Sequence, residues 1–170
     1  MRIICTPTSL PFVLVMMMYA LLKKRWRESL IWLSVTIGFL FVLGIHAYYV
    51  QKFMGNTHFI QKGEWIAFGG WPFAFKAIQL HPFLILNPPW VNAILIPLFL
   101  LGLAEWKGEL GTRVALLVYT YIFVYLFLGQ PFNVYWGVMF NMLIPLGALY
   151  TWPSFLDLWR SFVKRSIIHS

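Results

Sequence analysis

The chain has 170 residues, of which 61% are hydrophobic, 19% aromatic and only 11% charged, with a formal net charge of +8. Polar residues are too few to cover a soluble globule, and the mean hydropathy of +0.75 indicates an integral membrane protein. The positive charge lies beside apolar runs, which points to anionic lipid headgroups or lipid-linked phosphates and excludes nucleic acid as the partner.

Residues 6–22 form the first expected span, with Pro7 and Pro11 at the end of a helix that tolerates proline. The stretch is short against the roughly 20 apolar residues that a bilayer requires. Arg2 makes a meagre n-region, and a basic cluster stands where a small-residue cleavage site would be expected, so the segment reads as a retained span. The cluster is Lys23-Lys24-Arg25-Trp26-Arg27-Glu28, and it acts as a topological pin, since basic residues next to spans stay on the cytoplasmic side. The Met16-Met17-Met18 run is packing filler.

The second span, 30–50, ends in Tyr48-Tyr49 at interfacial depth, and Ser34 and Gly38 form a small step for a neighbouring helix. Residues 51–89 are an outer loop, interrupted by Gly55-Asn56, Gly69-Gly70, Pro82 and Pro88-Pro89. Within it, Phe73 to His81 places Lys76 and Gln79 opposite Phe73, Ala77 and Leu80, the pattern of an interfacial helix.

The third span, 90–104, carries Pro97 in its interior and should kink there. A polar turn from Glu105 to Arg113 leads to the fourth span, 114–128. A connector then leads to the fifth, 137–152, which holds Pro145. The tail, 154–170, reads as a basic amphipathic helix on an anionic leaflet. The expected fold is thus all-α: a single membrane domain, 1–170, with about five transmembrane helices plus interfacial helices.

On the pinned side of this topology lie nine of the thirteen basic residues: Lys23, Lys24, Arg25, Arg27, Lys107, Arg113, Arg160, Lys164 and Arg165. The other four are Arg2, Lys52, Lys62 and Lys76. The N-terminus is therefore expected outside and the C-terminus in the cytoplasm. Function is sought on the outer face, in the 51–89 loop and the connector.

Several residues there can carry chemistry. Glu64 is the outer acidic residue and the candidate general base, while Lys62 and Lys76 are suited to holding a phosphate. His58 and His81 complete the ionisable set; without a second acid, the group also reads as solvated loop charges. In the connector Gly129-Gln130-Pro131-Phe132-Asn133-Val134-Tyr135-Trp136-Gly137, the amides of Gln130 and Asn133 stand beside the planes of Tyr135 and Trp136. Sugars bind to such combinations, and an aromatic interfacial belt is the plainer reading. His46, Asn92 and Asn141 lie at membrane depth, as functional groups or as interhelical hydrogen bonds. Cys5 is the single cysteine, which excludes an internal disulfide and a cysteine metal site. No phosphate loop, zinc motif or nucleophile triad is present, Asn56-Thr57-His58 is not a sequon, and neither a metal nor a cofactor is expected.

The order of Thr6-Pro7-Thr8, the basic cluster, Gly-Gly-Trp-Pro-Phe, Pro-Pro-Trp and Gly-Gln-Pro-Phe-Asn-Val-Tyr-Trp-Gly resembles the C-terminal half of polytopic glycosyltransferases of the C superfamily. Among these are the dolichyl-phosphate-mannose protein mannosyltransferases and the bacterial aminoarabinose transferases. The resemblance implies a sugar carried on a polyprenyl phosphate and used on the non-cytoplasmic face. It also implies a catalytic acid in an N-terminal outer loop. No such motif occurs here, since the one Asp is Asp157 in the tail, and Glu64 stands at the wrong place in the span order to inherit the role. The expectation is a membrane part that is not catalytic alone, its catalytic half either lost or supplied by a second membrane chain. The alternative is a non-catalytic integral membrane subunit in a larger complex.

Overall fold

The computed structural model describes residues 9–54, 68–129 and 131–168, and among these all regular structure is helical. The chain divides into two compact units, Met1–Ile66 and Ala67–Ser170.

The first unit is a helical hairpin of α1 (Leu10–Leu22) and α2 (Trp26–Met54). The basic cluster makes its turn. Lys24 adopts φ 55°, in the left-handed region. Its N–H reaches the Leu21 carbonyl and that of Arg25 reaches Ala20, each at 2.9 Å. This pair of bonds is a Schellman closure, which occupies carbonyls that a helix end otherwise leaves open. Positive charge at the end of α1 also complements its dipole.

Across the hairpin, α1 buries Val13, Met16, Tyr19 and Ala20, and α2 buries Ser29 and Thr36. Phe12 meets Trp32 edge-on at 5.5 Å. Both hydroxyls bond back to their own helix, Ser29 to Arg25 O and Thr36 to Trp32 O, so they behave as small residues. The seam therefore runs along Ser29 and Thr36. The expected Ser34–Gly38 step is exposed, and a Cβ on Gly38 would meet nothing within 4 Å.

The second unit contains α3 (Gly70–Gln79), α4 (Pro82–Ile85), α5 (Pro89–Glu105), α6 (Glu109–Phe127), α7 (Val138–Asn141) and α8 (Ala148–Ile168). Two 3-10 helices, Pro131–Gly137 and Ile144–Gly147, flank α7. Gly108, at φ 98°, starts α6 five residues before the expected span, and Arg113 pairs with Glu109 at 2.6 Å inside the first turns.

Hydroxyl donors join the long helices. Thr151 and Ser154 of α8 donate to Leu98 O and Leu101 O of α5, at 3.0 and 3.2 Å. From α6, Tyr119 reaches Leu100 O at 2.6 Å. Such bonds hold apolar helices together where hydrophobicity alone gives them no reason to associate.

Two helices, α2 and α6, are long and apolar enough to cross a membrane, and a pair bent by 42°, Phe132–Asn141 with Ile144–Ser161, would make a third. The α1 and α5 helices are apolar but shorter, at 13 and 17 residues. The expected fifth span, 137–152, is not one helix, because Gly137, Pro145 and Gly147 divide it into 3-10 and α segments. Nor do the span and the tail separate near residue 153. The α8 helix continues through Pro153 to Ile168.

Candidate functional site

The helix that begins at the Gly-Gly-Trp-Pro-Phe motif and the connector glycines Gly129 and Gly137 meet inside the second unit. The buried face of α3 consists of Phe73, Ala74, Ala77 and Ile78, and Lys76 on the same helix is exposed. This division matches the expected amphipathic pattern. The apolar face is covered by the connector, α6 and α7.

Two connector glycines make that docking possible. A Cβ on Gly129 would run into the Phe73 ring, and one on Gly137 would run into the carbonyl of Ala77. Phe73 and Ala77 are one helical turn apart, so the 3-10 helix between the glycines clasps one face of α3 at two successive positions. Asn141 adds a third hold, its Nδ2 donating to Ala77 O at 3.4 Å.

Beneath the clasp lies an aromatic core. Tyr125 contacts Phe73 at 5.8 Å and Phe140 at 5.5 Å, both edge-on, while Tyr121 stacks flat on Phe140 at 5.5 Å. The Tyr125 hydroxyl donates to the Trp136 carbonyl at 3.0 Å, which fixes the connector over α6.

The expected site residues divide on this frame. Tyr135 is 53% exposed and meets the half-buried Trp136 edge-on at 6.2 Å. Asn133 is 1% exposed, and its buried Nδ2 has no acceptor among the described residues. Lys76 and Trp136 each adjoin, along the chain, the close contact between Ala77 and Gly137. Glu64, Lys62, His58 and Gln130 lie outside the described residues.

The two buried asparagines act as interhelical donors. Asn92 Nδ2 reaches Leu84 O at 2.7 Å, as Asn141 reaches Ala77 O, and neither Oδ1 has a donor among the described residues. His81 is a capping residue. Its Nδ1 accepts the Phe83 N–H at 3.1 Å at the start of α4, and burial lowers its pKa below the ordinary imidazole value. Sequence reasoning missed the clasp, although the spacing of Gly129 and Gly137 around an aromatic connector was its visible trace.

At the far end of α5, Lys107 Nζ lies 2.6 Å from Glu105 and 3.8 Å from Asp157 of α8. The Glu105 carboxylate holds the Lys107 ammonium above its ordinary pKa, with Asp157 adding to the effect. Among the described residues no group of three His, Cys, Asp or Glu side chains comes together to hold a metal.

Fold and site together define an all-helical protein with helices long and apolar enough to cross a membrane, carrying a glycine-clasped aromatic core with buried amides. No protein-family model, curated protein or solved structure matches the chain.

Proposed function

We propose that the chain is the C-terminal membrane part of a glycosyltransferase-like protein that handles a polyprenyl-phosphate-linked sugar on the non-cytoplasmic face, without a catalytic acid of its own. The observation that carries this reading is the Asn133 amide, whose buried Nδ2 lacks an acceptor among the described residues, in the segment that also presents Tyr135. Leaving such a donor unpaired costs about 1–3 kcal/mol, a cost that a ligand hydroxyl or phosphate oxygen offsets. The exposed Lys76 stands on the clasped helix as a cation for the phosphate.

The five-crossing topology, N-terminus outside and C-terminus cytoplasmic, belongs to the same proposal, with the bent pair as its fifth crossing. Two groupings support it. Both outer segments, the α3 loop and the connector, meet at Ala77 and Gly137. Both cytoplasmic segments, the α5–α6 turn and α8, meet at Lys107 and Asp157.

The test is binding of a polyprenyl-phosphate sugar to the purified full chain. Asn133→Ala should weaken binding by about fivefold or more, corresponding to roughly 1 kcal/mol, with thermal stability in detergent retained. Unchanged binding in normally folded Asn133→Ala and Trp136→Ala would remove the sugar site.

A second reading is a non-catalytic membrane subunit. The clasp favours it, because Gly129, Gly137 and Asn141 use the connector to hold α3. Under that reading Asn133→Ala is silent in binding, and Trp136→Ala lowers stability alone.

A further inference from the structure

The α8 helix has three faces. Thr151 and Ser154 turn toward α5 and donate to its carbonyls. A second face carries Asp157 and Arg160, 3.7 Å apart, with the Arg160 side chain 75% exposed. The third presents Trp152, Phe155 and Trp159, which are 68%, 50% and 60% exposed. The Trp152 and Phe155 rings stack at 6.2 Å.

This arrangement is inverted relative to a helix packed in water, since hydroxyls point inward and the largest apolar side chains point out. Lipid is the solvent that favours it, because hydrocarbon accepts the aromatic faces while the hydroxyls find backbone carbonyls. The charges mark a level along the helix. Lys107 in the α5–α6 turn pairs with Glu105 at the end of α5 and with Asp157 on α8, so the ionic residues of three segments gather at one height. Trp159 and Arg160 stand at that height, and tryptophan and arginine together are the side chains that anchor a helix at a headgroup boundary.

We propose that α8 leaves the bilayer at Asp157–Arg160, with Trp152 and Phe155 facing acyl chains and Arg160 engaging an anionic phospholipid headgroup. The proposal rests on the membrane reading above. It also replaces the expected in-plane tail, because α8 runs beside α5 as far as the ionic level and then passes it. The basic Lys164 and Arg165 follow in the sequence beyond that level. Positive charge at an apolar edge complements anionic lipid, which decides for lipid over a second protein as the occupant of the stripe.

The experiment uses the full chain in a Cys5→Ser background, in mixed phosphatidylcholine and phosphatidylglycerol vesicles. Spin labels are placed singly at Trp152→Cys, Phe155→Cys, Trp159→Cys and Phe123→Cys, the last on the exposed face of α6. Oxygen should reach the labels at 123, 152 and 155, with depth decreasing to headgroup level at 159. Arg160→Gln should reduce the preference for phosphatidylglycerol among bound lipids by about fivefold, and Arg160→Lys should retain most of it. Equal depth at 152, 155 and 159 would overturn the proposal in favour of an in-plane helix. Oxygen access at 123 without access at 152 and 155 would assign the stripe to a protein partner. An unchanged lipid preference in Arg160→Gln would remove the headgroup contact. Water-like labels at all four positions would sink the membrane reading itself.

Discussion

Gly102 of α5 and Gly147, just before α8, are packed backbone to backbone. A Cβ on Gly102 would fall inside contact distance of the Gly147 carbonyl, and one on Gly147 would meet the carbonyl of Phe99. The neighbouring hydroxyls of Thr151 and Ser154 reach α5 carbonyls only because the helices approach this closely. Small residues permit such approach in apolar surroundings, where dispersion and hydrogen bonds replace the hydrophobic drive.

Gly102→Ala and Gly147→Ala should therefore each destabilise the second unit by about 1–3 kcal/mol, as overpacked cores do. Gly108→Ala, at a glycine whose added Cβ would meet nothing within 4 Å but whose φ is 98°, separates backbone strain from crowding. Unfolding in mixed micelles measures all three. A stability of Gly102→Ala equal to that of the parent chain would refute the close seam.

Lys24 occupies a position that glycine fills more easily. An L-residue in the left-handed region costs about 1 kcal/mol, so Lys24→Gly should stabilise the α1–α2 hairpin by roughly that amount, less the added unfolded-state entropy. Orientation should be unaffected, since Lys23, Arg25 and Arg27 still mark the turn. Thermal unfolding of the variant checks the first statement, and a topology reporter checks the second. A lowered melting temperature would contradict the cap assignment.

The His81 cap makes the α3–α4 corner sensitive to acid. Only a neutral ring with Nδ1 unprotonated accepts the Phe83 N–H, and burial lowers the pKa in the folded state. On acidification the unfolded chain takes up its proton first. The cap's contribution is therefore complete above the ordinary imidazole pKa of about 6.5 and is lost as pH falls below it. Once intrinsic exchange is corrected, the Phe83 amide should lose protection below that point in the parent chain. His81→Asn, which keeps a capping acceptor, should exchange at a rate independent of pH over the same interval once intrinsic exchange is corrected.

The proposed topology places a reporter fused after Ser170 in the cytoplasm and one inserted between Gln51 and Pro89 outside. Replacing Lys23, Lys24, Arg25 and Arg27 together should scramble orientation, whereas replacing one should not. An external signal from the C-terminal fusion would overturn the arrangement. The isolated chain should also transfer no sugar. Turnover abolished by Glu64→Gln would show that it carries its own acid.

Composition and periodicity alone determined the helical class, the basic turn after α1 and the two faces of α3. Each is a local property, written in charge at 23–27 or in the 3.6-residue alternation of Phe73, Ala77 and Lys76. Tertiary structure decided what covers each apolar face, because hydropathy scores a side chain as apolar whether its neighbour is lipid or protein. The chain pattern thus gave α3 an apolar face, and Gly129 and Gly137 place that face under the connector. For the same reason Ser34 and Gly38 were legible as a seam, yet Ser29 and Thr36 form it, since helix rotation is set by the partner's side chains. The close approach of α5 and the start of α8, where Gly102 and Gly147 let two backbones touch, was likewise not written in hydropathy.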